Sequence, residues 1–248
     1  MSDFPTVPRF ARAARLACKL LLQDDIRRLP VDPIAIIRRH GFRLTTYRKA
    51  AERRGITAAE LADVFGTEDA FSAMTPGTGQ VLIVYNDSLI SGERVRFSLC
   101  HELGHLFLRH FDFPEESLTS CHRRLLDLEA NTFAANLLCP VPVIQLLRKP
   151  LQDADRHLFS LSALGWHTRL RTLPADVQAL PPALYQSVQE QFRPFMAQRH
   201  CCRCGASFLR PVDVCPACGH APLQWSPDAC PMDFPWTPET WARSQAPR

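Results

Sequence analysis

The sequence predicts an α+β fold, mainly helical with a small sheet, followed by a separate cysteine-rich appendage. Three observations carry this. The first half of the chain alternates amphipathic stretches with short apolar runs, in the order helix, helix, strand, helix, two strands, helix. A hydrophobic content of 46% and a charged content of 22% in 248 residues suit one good-sized core plus a small extra piece. Beyond residue 140 prolines accumulate, and two Cys-x-x-Cys-Gly pairs stand together near the C-terminal end.

Taken in order, Arg9 to Gln23 is rich in Ala and Leu with arginines at helical spacing, which predicts an amphipathic helix. Asp32-Pro33 supplies a cap and a first-turn proline for a second helix that stops at Gly41. Phe42 to Tyr47 alternates like a strand. Thr57 and Glu60 form a capping box for a helix ending at Gly66. Phe71 to Met74 and Val81 to Tyr85 read as two strands of a hairpin joined by TPGTGQ.

The next helix, over RVRFSLCHELGHLFLRH (94–110), is the one with chemistry in it. Ser91 caps it, Glu93 lies in its first turn, and Val95, Leu99, Leu103 and Leu106 form its apolar stripe. His101 and His105 are one turn apart, so both imidazoles leave the same face and can bind one zinc ion. Glu102 points roughly 100° away from His101, within reach of a metal-held water but badly aimed to ligate. This spacing belongs to zinc peptidases, with Glu102 as the base. Gly104 costs helix propensity, about 1 kcal/mol against Ala, which predicts a close approach there.

A two-histidine site needs a third protein ligand. RLLDLEANTFAANLL predicts a second strong helix over Leu125 to Leu138, ended by Pro140. Glu129 is the chosen ligand: it shares a face with Phe133 and Asn136 among apolar neighbours, where a lone carboxylate is costly. Asp127 is set aside as displaced from the Phe133 face. Glu115 and Glu116 lie in a polar loop, and His122 stays open at the helix start. His110 is no substitute, because the pattern HExxHxxGxxH needs Gly at 108 and His at 111, and this chain has Leu108 and Phe111.

Cys201, Cys204, Cys215 and Cys218 form two knuckles, each with a glycine that lets amides turn toward the thiolates. They predict a zinc ribbon with four sulfur ligands, with Cys202 as the alternative to Cys201. The ribbon reads as a structural clip or as a docking platform. Cys18, Cys121 and Cys230 read as plain thiols.

Ten cysteines without an export signal point to thiols and metal ligands in a reducing compartment, so the chain reads as cytoplasmic. No apolar run approaches the ~18 residues of a membrane span. The net charge of +4 permits weak nucleic-acid contact without arguing for it. HLFSLSALGWHTRLRTL (157–173) could read DNA, but Trp166 and the leucines favour packing.

The combination ERVRFSLCHELGHLFL and EANTFAANLLCP resembles the ImmA/IrrE family of bacterial metallopeptidases. The lead-in RFARAARLACKLLLQDDIRRLPVDPIAIIRRHGFRL, the segment VLIVYNDSLISGERVRF and the tail at 157–173 are similar too, so the resemblance spans roughly residues 9–173. It implies a zincin-like peptidase fold over residues 1–175. Residues 176–198 then read as a linker and helix kinked at Pro194, 199–222 as the ribbon, and 223–248 as an irregular tail.

The resemblance further implies zinc held by His101, His105 and Glu129, and Glu102 as general base. It implies site-specific cleavage of a helix-turn-helix repressor. The alternative is a non-catalytic regulator, or a toxin–antitoxin partner, binding protein or DNA through the ribbon. Tyr47, Tyr85 and Arg96 are oxyanion-stabilising candidates by type alone. Cys100 and Cys139 depart from the family pattern, and a thiol beside the metal helix predicts redox sensitivity.

Overall fold

The computed structural model describes residues 4–75, 77–89, 91–147, 151–196, 199–201, 203–204, 206–208, 214–215 and 217–220. The tail at 223–248, with Cys230, and the alternative ligand Cys202 lie outside them. The chain divides into two compact units, Met1–Ala17 with Asp32–Leu138 and Cys18–Val31 with Cys139–Arg248.

In the first unit, residues up to Ala17 of α1 (Phe10–Gln23) are followed by α2 (Pro33–Arg39). The Asp32 carboxylate accepts from Ile34 N at 2.9 Å, the expected cap. Strand β1 (Arg43–Thr46) is shorter than predicted, because Thr46 accepts from Lys49 N at 3.2 Å and starts a helix instead. That helix, α3 (Tyr47–Glu52), was not legible in the alternating pattern. Next comes α4 (Ala58–Phe65), opened by the predicted capping box: Glu60 N donates to Thr57 Oγ1 and Thr57 N to Glu60 Oε2. Gly66 closes it with φ 65°, a left-handed turn that suits glycine.

Strands β2 (Ala70–Met74) and β3 (Val81–Tyr85) form the predicted hairpin, pairing antiparallel from Ala70↔Tyr85 to Met74↔Val81. β1 joins the other side of β3 in parallel, from Arg43↔Leu82 to Thr46↔Tyr85. The order β1-β3-β2 leaves β2 as an edge. Tyr47, Ala50, Ala51 and Leu61 pack with Val84 into a small core on one side of the sheet.

Two long helices complete this unit, α5 (Gly92–Phe107) and α6 (Ser120–Leu138). Ser91 caps α5 by accepting from Arg94 N. The helices pack tightly at Gly104, where a methyl group would stand 3.0 Å from the Cα and carbonyl oxygen of Ala130. That is the close approach the glycine predicted. Phe107 stacks on the fully buried Phe133 with centroids 5.8 Å apart, and burying such a ring contributes roughly 1.5–3 kcal/mol.

The second unit contains α7 (Val141–Ile144), opened by Pro140, then α8 (Arg156–Phe159), α9 (Ala163–Ala179) and α10 (Pro182–Met196). The expected linker beginning at 176 is helical: α9 runs through Pro174 to Ala179, and the expected boundary at 175 falls inside it. The proline removes one backbone donor, but Arg169 before it and Asp176 after it form a buried ion pair across it. Arg169 Nε also donates to Cys139 O at 2.9 Å. Trp166 is fully buried and stacks on Phe159, so α9 uses this ring for packing rather than for reading DNA. Pro194 lies within α10, two residues before its end. Strands β4 (Arg199–His200) and β5 (Ser207–Phe208) pair antiparallel in the cysteine-rich region. Among the described residues no helix is long and apolar enough to cross a membrane.

Candidate metal centre

α5 and α6 face each other through two pairs of side chains, each four residues apart. His101 and His105 come from α5, Asp127 and Asn131 from α6. His101 Nε2 and His105 Nε2 are 3.0 Å apart. Asp127 Oδ1 is 3.4 Å from His105 Nε2 and 3.9 Å from His101 Nε2. Zinc bonded to nitrogen and oxygen at about 2.0–2.2 Å in tetrahedral array has ligand–ligand edges of roughly 3.3–3.5 Å. The triangle of Nε2, Nε2 and Oδ1 therefore fits one ion with its fourth position open.

The protonation states agree with that. Burial, and then the neighbouring His105, lower the pKa of His101, favouring the neutral imidazole that ligates. His101 Nδ1 lies 2.8 Å from Asn131 Oδ1, which fixes Nδ1–H as donor and leaves Nε2 for the ion. Burial opposes the Asp127 carboxylate, yet the hydrogen bond with His105 and the nearby imidazoles hold it below the ordinary carboxylate range.

The carboxylate that meets the imidazole pair is thus Asp127, and Glu129 is occupied elsewhere. Glu129 is fully buried, as its apolar neighbours predicted. Its Oε1 accepts from Arg9 N at 2.7 Å and Arg9 Nε at 2.9 Å, and its Oε2 from Arg9 Nη2 at 3.1 Å. On its other side stands His110 Nε2, 3.2 Å from Oε2. Burial opposes this carboxylate too, but His110 and Arg9 bring its pKa down to about 2. The α6 face that Glu129 shares with Phe133 is its core face, and Asp127 lies on the face turned to the histidines.

Glu102 is buried beside the pair, and its Oε2 accepts from Ser72 Oγ on β2 at 2.5 Å. Tyr47 is buried and its hydroxyl donates to Thr67 O at 3.0 Å. Arg96 is entirely enclosed, and Tyr85 pairs within the sheet, opposite Ala70. His122 stacks on Phe4 with centroids 4.3 Å apart and is not among the converging ligand atoms. Cys100 and Cys139 are completely buried, and burial pushes each thiol up to about 12. Protonated and inaccessible, neither has the character of a redox-sensitive cysteine.

A second group of ligand atoms is formed by the four predicted cysteines. Cys201 Sγ is 3.5 Å from Cys218 Sγ, and Cys204 Sγ is 3.6 Å from Cys215 Sγ. Tetrahedral zinc with sulfur at about 2.3 Å has edges of roughly 3.8 Å, so the four thiols fit such an ion closely. Burial works against the Cys201 thiolate, but the amides of Cys204 and Arg203 help bring its pKa down to about 7. Gly219 takes φ 70° as its amide donates to Cys215 O, the turn expected of the second knuckle.

A helix pair presenting two imidazoles and a carboxylate around an open position has the ligand set of a catalytic metal site. Comparison with known families makes this specific: residues 51–167 match the IrrE N-terminal-like domain, peptidase family M78. That stretch is an IrrE N-terminal-like domain of the ImmA/IrrE family, a metallopeptidase-type domain that implies a protein substrate. The lead-in before residue 51 and the four-cysteine cluster, which is compatible with a zinc ribbon, lie outside the match. No curated protein matches the chain.

Proposed function

We propose that the chain is a zinc-dependent, site-specific endopeptidase acting in the cytoplasm on a helix-turn-helix transcriptional repressor. The supporting observation is the convergence of His101, His105 and Asp127 on one point, with Glu102 on the next helical position. Asp127 replaces Glu129 as the third ligand in this reading, because Glu129 is saturated by Arg9 and His110.

Zinc bound there would polarise the scissile carbonyl and lower the pKa of the attacking water. Glu102 would serve as the base, taking a proton from the attacking water and returning it to the leaving amine. Ser72 donates to Oε2 and thereby orients the carboxylate, leaving Oε1 for the transfer. Ser72 stands on the edge strand, so the outward backbone groups of β2 can pair with an extended peptide close to the base. The repressor as substrate follows from the family resemblance, and the four cysteines would hold a second, structural zinc.

The test is the intact mass of the repressor encoded nearest this gene, after co-expression with wild type or with Glu102→Gln. Two fragments with wild type and none with the variant support the reading. Equal cleavage by both removes Glu102 from the mechanism. An uncut repressor that Glu102→Gln nevertheless captures would favour a binding protein.

A further inference from the structure

We infer that His110, backed by Glu129 and Arg9, is a positioning residue that orients His105 as a metal ligand. The inference rests on the proposed metal site. His105 has two ring nitrogens with different tasks: Nε2 faces His101 and Asp127, while Nδ1 lies 3.0 Å from His110 Nδ1. With Nε2 reserved for the ion, His105 Nδ1 carries the N–H and donates a hydrogen bond to His110 Nδ1. His110 must then carry its own proton on Nε2, which faces Glu129 Oε2 at 3.2 Å. The carboxylate accepts there and from three Arg9 donors.

With the ion on His105 Nε2, every donor in this chain meets one acceptor. His101 is fixed in the same sense by Asn131. The two ligand histidines thus have different supports, an amide on α6 for one and a buried relay for the other. The relay draws on residues far apart in the chain: Arg9 precedes the stretch that matches the family, while His110 and Glu129 lie inside it. His110 offers its nitrogen to another ligand rather than to the ion.

The test measures zinc affinity at both sites by chelator competition in the full chain. It is combined with NMR of histidine-labelled protein to follow the His105 Nδ1 proton. His110→Ala should weaken the open site by roughly 10- to 100-fold, leave the four-cysteine zinc unchanged, and expose the Nδ1 proton to rapid exchange. His110→Gln, which keeps an acceptor and a donor, should recover most of the affinity. Wild-type affinity together with a protected Nδ1 proton in His110→Ala overturns the relay. If that variant does not fold, Arg9→Ala decides, because the Arg9 side chain is 34% exposed and the Arg9 backbone N–H still donates to Glu129. Weaker zinc binding in Arg9→Ala supports the relay, and unchanged binding overturns it. His101→Ala separates the two levels: if it keeps the open-site zinc, the metal-site reading itself fails.

Discussion

The sharpest consequence at the residue scale concerns two carboxylates two residues apart on α6. Asp127→Ala should lose the chelatable zinc and all cleavage, whereas Glu129→Gln should retain zinc with reduced affinity; metal analysis of the purified proteins checks both. Glu102→Gln should keep both metals and the fold while activity falls roughly 10²–10⁴-fold, since only proton transfer is removed. Glu129 also gives a pH signature. Its folded pKa of about 2 is depressed from 4.5, so its stabilising contribution is present above 4.5 and disappears as pH falls through about 2. Metal-free wild type should lose more denaturant resistance than Glu129→Gln between about pH 5 and about pH 2.5, and parallel losses would exclude this role. The meeting of the two histidines, with Glu102 beside them, was legible in the sequence, because their spacing is local. The convergence of Asp127 rather than Glu129 with the histidines was not legible, because burial and ligation both demand a partner for a carboxylate. Glu129 has its partners in Arg9 and His110, which no spacing along α6 reveals.

Among the elements, the α5–α6 contact controls the site. Gly104→Ala should force the helices apart against Ala130, costing about 1–3 kcal/mol, and should weaken the open-site metal more than the ribbon metal. Thermal unfolding with metal titration measures both, and an unchanged open site would show that the helices accommodate the methyl group. Caps and glycines were legible at this scale: Asp32, Thr57 with Glu60, Ser91 and Gly66 all act within a turn of their own helix. The start of α3 was not, since Thr46 and Tyr47 continue a strand-like alternation while the backbone turns. Pro174 misled for a similar reason. A proline announces a break, but the Arg169–Asp176 pair that spans it is set by tertiary burial.

For the whole molecule, the two sets of ligand atoms differ in how easily metal should leave. Two imidazoles and one carboxylate leave an open position, whereas four thiolates close the coordination shell. A mild chelator should abolish cleavage and remove about one zinc per chain, and only a thiol-reactive reagent or harsher chelation should release the second. Loss of both ions in one step would contradict two separate centres. The order of synthesis adds a further constraint. Arg9 leaves the ribosome first, the histidine helix follows, and the Glu129 that Arg9 grips is made 120 residues after it. At 5–20 residues per second, His101 and His105 spend on the order of seconds without the carboxylates and amide of α6. On the proposed site, stable metal loading would belong to a chain extended past Asn131, and a nascent chain stalled before that point would carry its histidines unloaded.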